Sequence, residues 1–219
     1  MNKEAVRSLI DRIGIVPCAR VTNPAFARFA AETLCAVEIP LLEIPLALAE
    51  APQIIEELAV RFPDMAVGAG TVQDEDSARR CVDAGARFIT SPGFVPEVVA
   101  CAVKAGAVVF PGVLTPTEAI AAWKAGADFV KIFPTATIGG SHYLRALKVP
   151  LPQIPLIVAG GVNQMTAFDF ILAGASAIGI GRELLPREAL ERRQETRINE
   201  LAHRFLQLVC EAREQREEF

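Results

Sequence analysis

Ala125-Gly126-Ala127-Asp128-Phe129-Val130-Lys131-Ile132-Phe133-Pro134 carries the two signals from which the rest of the chain is read. Its first half is a small-residue turn and its second half is a short apolar run, a buried β-strand with a lysine near its C-terminal end. The turn recurs. Ala-Gly-Ala stands at 84–86, 105–107, 125–127 and 173–175, each time after a helical stretch and before an apolar run. The first three copies are 21 and 20 residues apart, and the last follows after 48, room for two more units with a longer loop. Glycine ends a helix in the left-handed conformation, and small alanines let helix and strand approach closely.

The repeat places strands near 87–91, 107–113, 127–133, 154–160 and 176–181, with helices near 74–83, 95–104, 116–124, 140–147 and 163–172. Upstream, Val6, Leu9, Ile10 and Ile13 lie at helical spacing over 2–13, with Gly14 as the stop. Strand one is Ile15–Arg20. Asn23-Pro24 starts a helix to about Val37, since asparagine caps and proline is preset for the first turn. Strand two is Ile39–Pro45, a helix covers 51–62, and strand three is Met65–Thr71. Tandem βα units imply parallel strands with right-handed crossovers. Continuous apolar strands are covered on both faces. Eight of them predict a (β/α)8 barrel of one domain over 1–219: barrel about 14–186, an extra N-terminal helix and a long charged helix about 186–217. The apolar stripe of that tail is Leu190, Ile198, Leu201, Phe205 and Leu208. An open doubly wound sheet is the alternative, but no GxGxxG follows strand one and no GxxxxGK[ST] occurs.

Composition excludes several classes. Hydrophobic residues are 52% and charged residues 22%, which fits a globular chain and not a disordered one. A net charge of -4 disfavours nucleic acid as partner. No run of eighteen apolar residues offers a membrane span, and Met1-Asn2-Lys3-Glu4 does not open a signal peptide. The five cysteines are scattered without a CxxC and read as reduced core residues of a cytosolic protein. With two histidines, His142 and His203, a clustered zinc site is not expected, and the chemistry below needs no metal or cofactor.

Barrel enzymes work at the C-terminal ends of their strands. Here those ends carry Arg20, Glu43, Thr71, Ser91, Thr115 just past Gly112, Lys131, Gly160-Gly161 and Gly181-Arg182. A buried lysine loses protons readily, and the neutral amine attacks ketones and aldehydes to form a Schiff base. The plainer reading of Lys131 is a side chain that snorkels out of a strand end. Glu43, in Leu41-Leu42-Glu43-Ile44, points into the barrel against the sense of its apolar neighbours. It is either a general acid/base or the partner of Lys131 in a structural ion pair. Gly68-Ala69-Gly70-Thr71, Gly160-Gly161 and Gly179-Ile180-Gly181-Arg182 are glycine-rich strand exits, the last two where barrels commonly hold phosphate. His142, after Gly139-Gly140-Ser141, is either a ligand contact or an ordinary helix-surface residue.

The same residues resemble the family of KDPG (2-keto-3-deoxy-6-phosphogluconate) and KHG (4-hydroxy-2-oxoglutarate) aldolases. The matching pieces are Val37–Glu43, Val67–Val72, Thr90–Gly93, Phe110–Val113 with Thr115 to Glu118, Val130–Pro134 and Ala159–Val162, in order, within about 8–186; the C-terminal helix is outside it. The resemblance implies a cytoplasmic, homotrimeric class I aldolase on a (β/α)8 barrel, cleaving a 4-hydroxy-2-oxo acid to pyruvate and an aldehyde. It implies Lys131 as the imine former and Glu43 as the acid/base, acting partly through water. Thr71, Pro92 and Pro111-Gly112 would line the pyruvate pocket, and Gly160, Gly161 and the Gly181 loop would receive a phosphate. Two positions depart from the family pattern. Ala47 stands where many KDPG members have arginine, so Arg20 supplies the charge, as in the branch that resembles KDPGal (2-keto-3-deoxy-6-phosphogalactonate) aldolases. Arg182 stands where serine is frequent, and can clamp an anion in two-point fashion. The rivals are a phosphate-binding isomerase or epimerase barrel and a non-catalytic anion-binding barrel.

Overall fold

The computed structural model describes residues 1–217. The strands are β1 (Ile15–Pro17), β2 (Leu41–Pro45), β3 (Ala66–Gly70), β4 (Phe88–Ser91), β5 (Val108–Val113), β6 (Val130–Ile132), β7 (Leu156–Ala159) and β8 (Ala177–Ile180). The helices are α1 (Lys3–Ile13), α2 (Pro24–Ala36), α3 (Ala51–Arg61), α4 (Glu75–Asp83), α5 (Pro96–Lys104), α6 (Pro116–Lys124), α7 (Gly140–Lys148), α8 (Ala167–Leu172), α9 (Arg187–Glu191) and α10 (Glu195–Glu217). All pairings are parallel, in the order β1-β8-β7-β6-β5-β4-β3-β2. The ring closes through one bridge, Cys18 beside Glu43, where the Ala19 N–H donates to the Glu43 carbonyl at 2.9 Å. The fold is the expected (β/α)8 barrel.

The Ala-Gly-Ala turns are what builds it. Gly85, Gly106, Gly126 and Gly174 all take positive φ, from 71° to 103°. At each, the following alanine N–H reaches five residues back and the glycine N–H three back, as Ala86 to Cys81 at 2.9 Å and Gly85 to Val82 at 2.8 Å. This is the Schellman arrangement, which satisfies the last carbonyls of the helix before the chain enters the next strand. The start signals also hold: Asn23 caps α2 through the Ala25 N–H, with Pro24 at the first position.

Several strands are shorter than expected. Strand one stops at Pro17, because Ala19 changes partner from β8 to β2 and Arg20 and Val21 each bond two residues back, turning the chain outward. Strand six begins at Val130 instead of 127. The Asp128 carboxylate turns back to the Val109 N–H at 2.9 Å and pairs with Lys3 at 3.0 Å, so this segment ties α1 to the barrel floor. The tail is two helices, not one. The Gln194 N–H bonds the Ala189 carbonyl and Arg193 takes φ 50°. No glycine marks that break; the Arg193 guanidinium lies 5.5 Å over the Phe29 ring, which helps offset the left-handed backbone. Of the expected stripe, Leu190, Ile198 and Phe205 are buried, whereas Leu201 and Leu208 lie at its edge; Ala202, Val209 and Ala212 complete it. α10 packs on α8 and α2 of its own barrel.

Alternation along the strands decides what faces the barrel axis. Phe88 and Phe110 stack at 5.3 Å and Phe129 meets Phe110 edge-on at 6.3 Å. Gly68 makes room for this aromatic floor, since a Cβ there would fall 2.3 Å from the Phe88 ring. Two residues on from Phe129, and on the same face, is Lys131.

Candidate active site

Above the floor, at the C-terminal mouth, an inner chamber of about 60 Å³ is lined by Cys18, Arg20, Glu43, Thr71, Pro92, Phe110, Lys131 and Phe133, among others. That is room for a handful of water-sized groups. Arg20, Phe133, Gly179 and Gly181 also border an outer vestibule of about 500 Å³, with Gly160, Gly161, Asn163 and Arg182 on its far wall.

Lys131 is 8% exposed. Its Nζ donates to Thr90 Oγ1, and the Thr90 hydroxyl donates in turn to the Phe110 carbonyl at 3.0 Å. The threonine proton is thereby committed elsewhere, so Thr90 presents a lone pair to one N–H of the amine and leaves the nitrogen lone pair free. Among the described residues Lys131 and Glu43 form no direct ion pair, although the Glu43 charge acts on the amine, and the Lys131 side chain does not snorkel to solvent. Burial pushes its pKa below the ordinary lysine value. The Glu43 charge opposes that shift, and Arg20 adds to it. The shift favours the neutral amine, the form that attacks a carbonyl.

The same shift fixes a stability prediction. Unfolded lysine stays charged up to about pH 10.4. Between the depressed folded pKa and that pH the unfolded chain therefore binds more protons at this site, and folding bears a penalty that is full below the folded pKa and gone above about pH 10.4. Lys131→Met, of similar length and neutral at every pH, is expected to raise Tm by roughly 2–4 °C per kcal/mol relieved. The gain should be full below the folded pKa and shrink as pH rises toward about 10.4. Thermal unfolding followed by circular dichroism reads it, and a gain that grows with pH would contradict the assignment.

Glu43 is half-buried on β2. The Cys18 thiol donates to its Oε1 at 3.2 Å. On the other side stands Gly70 of β3, where a Cβ would fall 2.0 Å from the same oxygen. The carboxylate thus fits only because position 70 has no side chain. Gly70→Ala is expected to displace Glu43 and lower turnover on the order of 10²-fold, the usual cost of an ångström-scale misplacement, with the chain still folded. Steady-state kinetics beside a thermal melt check this; unchanged kcat would show that Glu43 has another way to sit.

Around this pair the expected residues divide. Thr71 lines the chamber with φ 61°, a left-handed backbone rare for a β-branched residue and typical of functional sites. Pro92 lines it too, as does Arg20, whose stem lies along Gly181; a Cβ on that glycine would come within 3.0 Å of Arg20 Cδ. Gly160, Gly161, Gly181 and Arg182 form the vestibule. Arg20 and Arg182 are exposed and make no ion pair among the described residues. Pro111 and Gly112 do not reach the cavity. They stand behind its wall, where a Cβ on Gly112 would fall 2.2 Å from the Pro92 carbonyl oxygen, so Gly112 lets that loop close on the chamber. His142 is exposed on α7 and borders neither space. Among the described residues no group of three or more His, Cys, Asp or Glu side chains is arranged to hold a metal. The sequence reading gave no role to Thr90, Cys18 or Phe133 and took Gly70 as part of an anion-binding strand exit; of the first three only Thr90, a hydroxyl at the end of an apolar strand, carried a signal.

The family "KDPG and KHG aldolase" matches residues 6–201. The chain belongs to this aldolase family. The match runs beyond the motifs into the first turns of α10, which the motif-based resemblance left outside. A probable 2-dehydro-3-deoxy-6-phosphogalactonate aldolase of Rhizobium meliloti (strain 1021) is 33% identical over 80% of this chain and 86% of its own length. The KHG/KDPG aldolase of Escherichia coli (strain K12) is 30% identical over 91% and 94%. Among solved structures, the KDPG aldolase of Legionella pneumophila superposes with a TM-score of 0.83 at 30% identity, over 90% of this chain and 95% of that one; it holds pyruvate as a covalent carbinolamine. In a KDPG and KHG aldolase fold, a chamber with one buried lysine and one carboxylate is suited to carry out carbonyl chemistry.

Proposed function

We propose that the chain is a class I aldolase that cleaves a phosphorylated 4-hydroxy-2-oxo acid, of KDPGal or KDPG type, to pyruvate and glyceraldehyde 3-phosphate, and runs in reverse. The carrying observation is Lys131, buried on Thr90 with its lone pair free, in one small chamber with Glu43. The neutral amine attacks the C2 carbonyl to give a carbinolamine, and loss of water gives the imine. Glu43 takes the proton of the C4 hydroxyl, the C3–C4 bond breaks, and its electron pair runs into the protonated imine to leave an enamine. Return of a proton to C3 gives the pyruvate imine, which water hydrolyses.

The vestibule supports the phosphorylated substrate over the unphosphorylated KHG type. Two arginines without an ion pair among the described residues, Arg20 and Arg182, and four glycines face it. Arg20→Ala is expected to raise KM for the phosphorylated acid about 10- to 100-fold with kcat little changed, the loss of one charged hydrogen bond. A coupled pyruvate assay on KDPGal, KDPG and KHG ranks the substrates, and no pyruvate from any of the three sinks the proposal.

The reading carries with it a homotrimer and a cytoplasmic location. Exposed Leu114 and Ile120 support self-association, and no helix among the described residues is long and apolar enough to cross a membrane. Light scattering at the mass of one chain would remove the trimer.

A further inference from the structure

Cys18 is the residue of the chamber that the chemistry above leaves without a task. It stands directly opposite Glu43 at the bridge that closes the barrel between β1 and β2, and the Ala19 N–H to Glu43 carbonyl bond fixes the two strands to each other there. The Cys18 side chain faces inward beside the carboxylate, its thiol 3.2 Å from Glu43 Oε1. The same oxygen lies against the gap left by Gly70. Oε1 is thus held from two sides, while the cavity borders Glu43 from a third.

We propose that Cys18 is a positioning residue for the aldol chemistry: its thiol holds Oε1 of Glu43 and so aims Oε2 at the carbon and oxygen between which protons move. The proposal rests on the aldolase reading and deepens it. Burial, and the negative charge of Glu43, push the Cys18 thiol well above its ordinary pKa, so it stays protonated and acts as a donor; a thiolate nucleophile or a redox sensor is not what this site makes. A serine there can make the same bond, whereas valine or alanine cannot.

The step that isolates this role is proton exchange on pyruvate. In the Lys131–pyruvate imine, Glu43 removes a proton from the methyl carbon, the C–H electrons become the enamine double bond, and the C=N pair moves onto nitrogen. In heavy water the reverse step returns a deuteron. Imine formation needs Lys131, and exchange needs a well-aimed Glu43 as well. The experiment follows loss of the pyruvate methyl proton signal by NMR for the native chain and for Cys18→Ala, Cys18→Val and Cys18→Ser, with borohydride trapping of pyruvate on each. The expected result is exchange slowed about 10-fold in Cys18→Ala and Cys18→Val, trapping at the native level in both, and Cys18→Ser within about threefold of native exchange. Native exchange rates in Cys18→Ala and Cys18→Val would overturn the proposal, and so would a serine variant no faster than valine. Trapping lost in step with exchange would overturn it as well, because a general loosening of the seam would then account for both. A native chain that traps no pyruvate would instead bring down the aldolase reading.

Discussion

Lys131→Ala is expected to lower pyruvate release by about 10⁴-fold or more, the scale on which removal of a covalent nucleophile acts. The size follows from the lack of a substitute. Among the described residues Lys131 is the only lysine lining the chamber or the vestibule. Its surroundings support the proposed role: Thr90 accepts one N–H, Phe110 and Phe133 line the chamber beside it, and burial lowers its pKa against the opposing charge of Glu43. Lys131→Arg should be as inactive, because a guanidinium stays protonated and is no nucleophile. Both variants should fold, since the wild-type residue costs stability at neutral pH. Residual activity within tenfold of wild type would mean that the bond is broken without an imine.

Glu43→Gln is the second large effect. The amide has the shape of the carboxylate and can still accept from Cys18, but it cannot take a proton. Turnover should fall about 10²- to 10⁴-fold, the usual contribution of a positioned acid or base, while pyruvate is still trapped on Lys131. The contrast would separate the two proposed roles, covalent bond formation at Lys131 and proton movement at Glu43. A Glu43→Gln chain with near-native turnover would assign the base to bound water alone.

Both of these residues were legible in the sequence for the same reason. A charge inside an apolar strand is a visible exception, and strand parity says which way it points. The barrel was legible because four identical turns announce the same helix-to-strand junction, and each forms the same Schellman closure. What surrounds the pair was much less so. Cys18 sits in Val16-Pro17-Cys18-Ala19, where a cysteine reads as one more small apolar residue, and its bond to Glu43 exists only because the barrel closes on itself. Gly70 looked like part of an anion loop, whereas its neighbour across the sheet is the Glu43 carboxylate. Pro111 and Gly112 came from motif likeness and stand one layer behind the pocket wall. The break at Arg193 has no glycine to mark it and depends on Phe29, more than a hundred and sixty residues earlier. Local pattern reached the elements and the two charged groups, Lys131 and Glu43, that the fold brings to one chamber. Contacts between distant strands decided how those groups are held.

The most direct test of the central claim is the intact mass of the protein after borohydride reduction with pyruvate, followed by peptide mapping. The account predicts one reduced pyruvate adduct per chain, on Lys131, absent from Lys131→Ala. A folded, native chain that takes up no adduct, or carries it on another lysine, would contradict it.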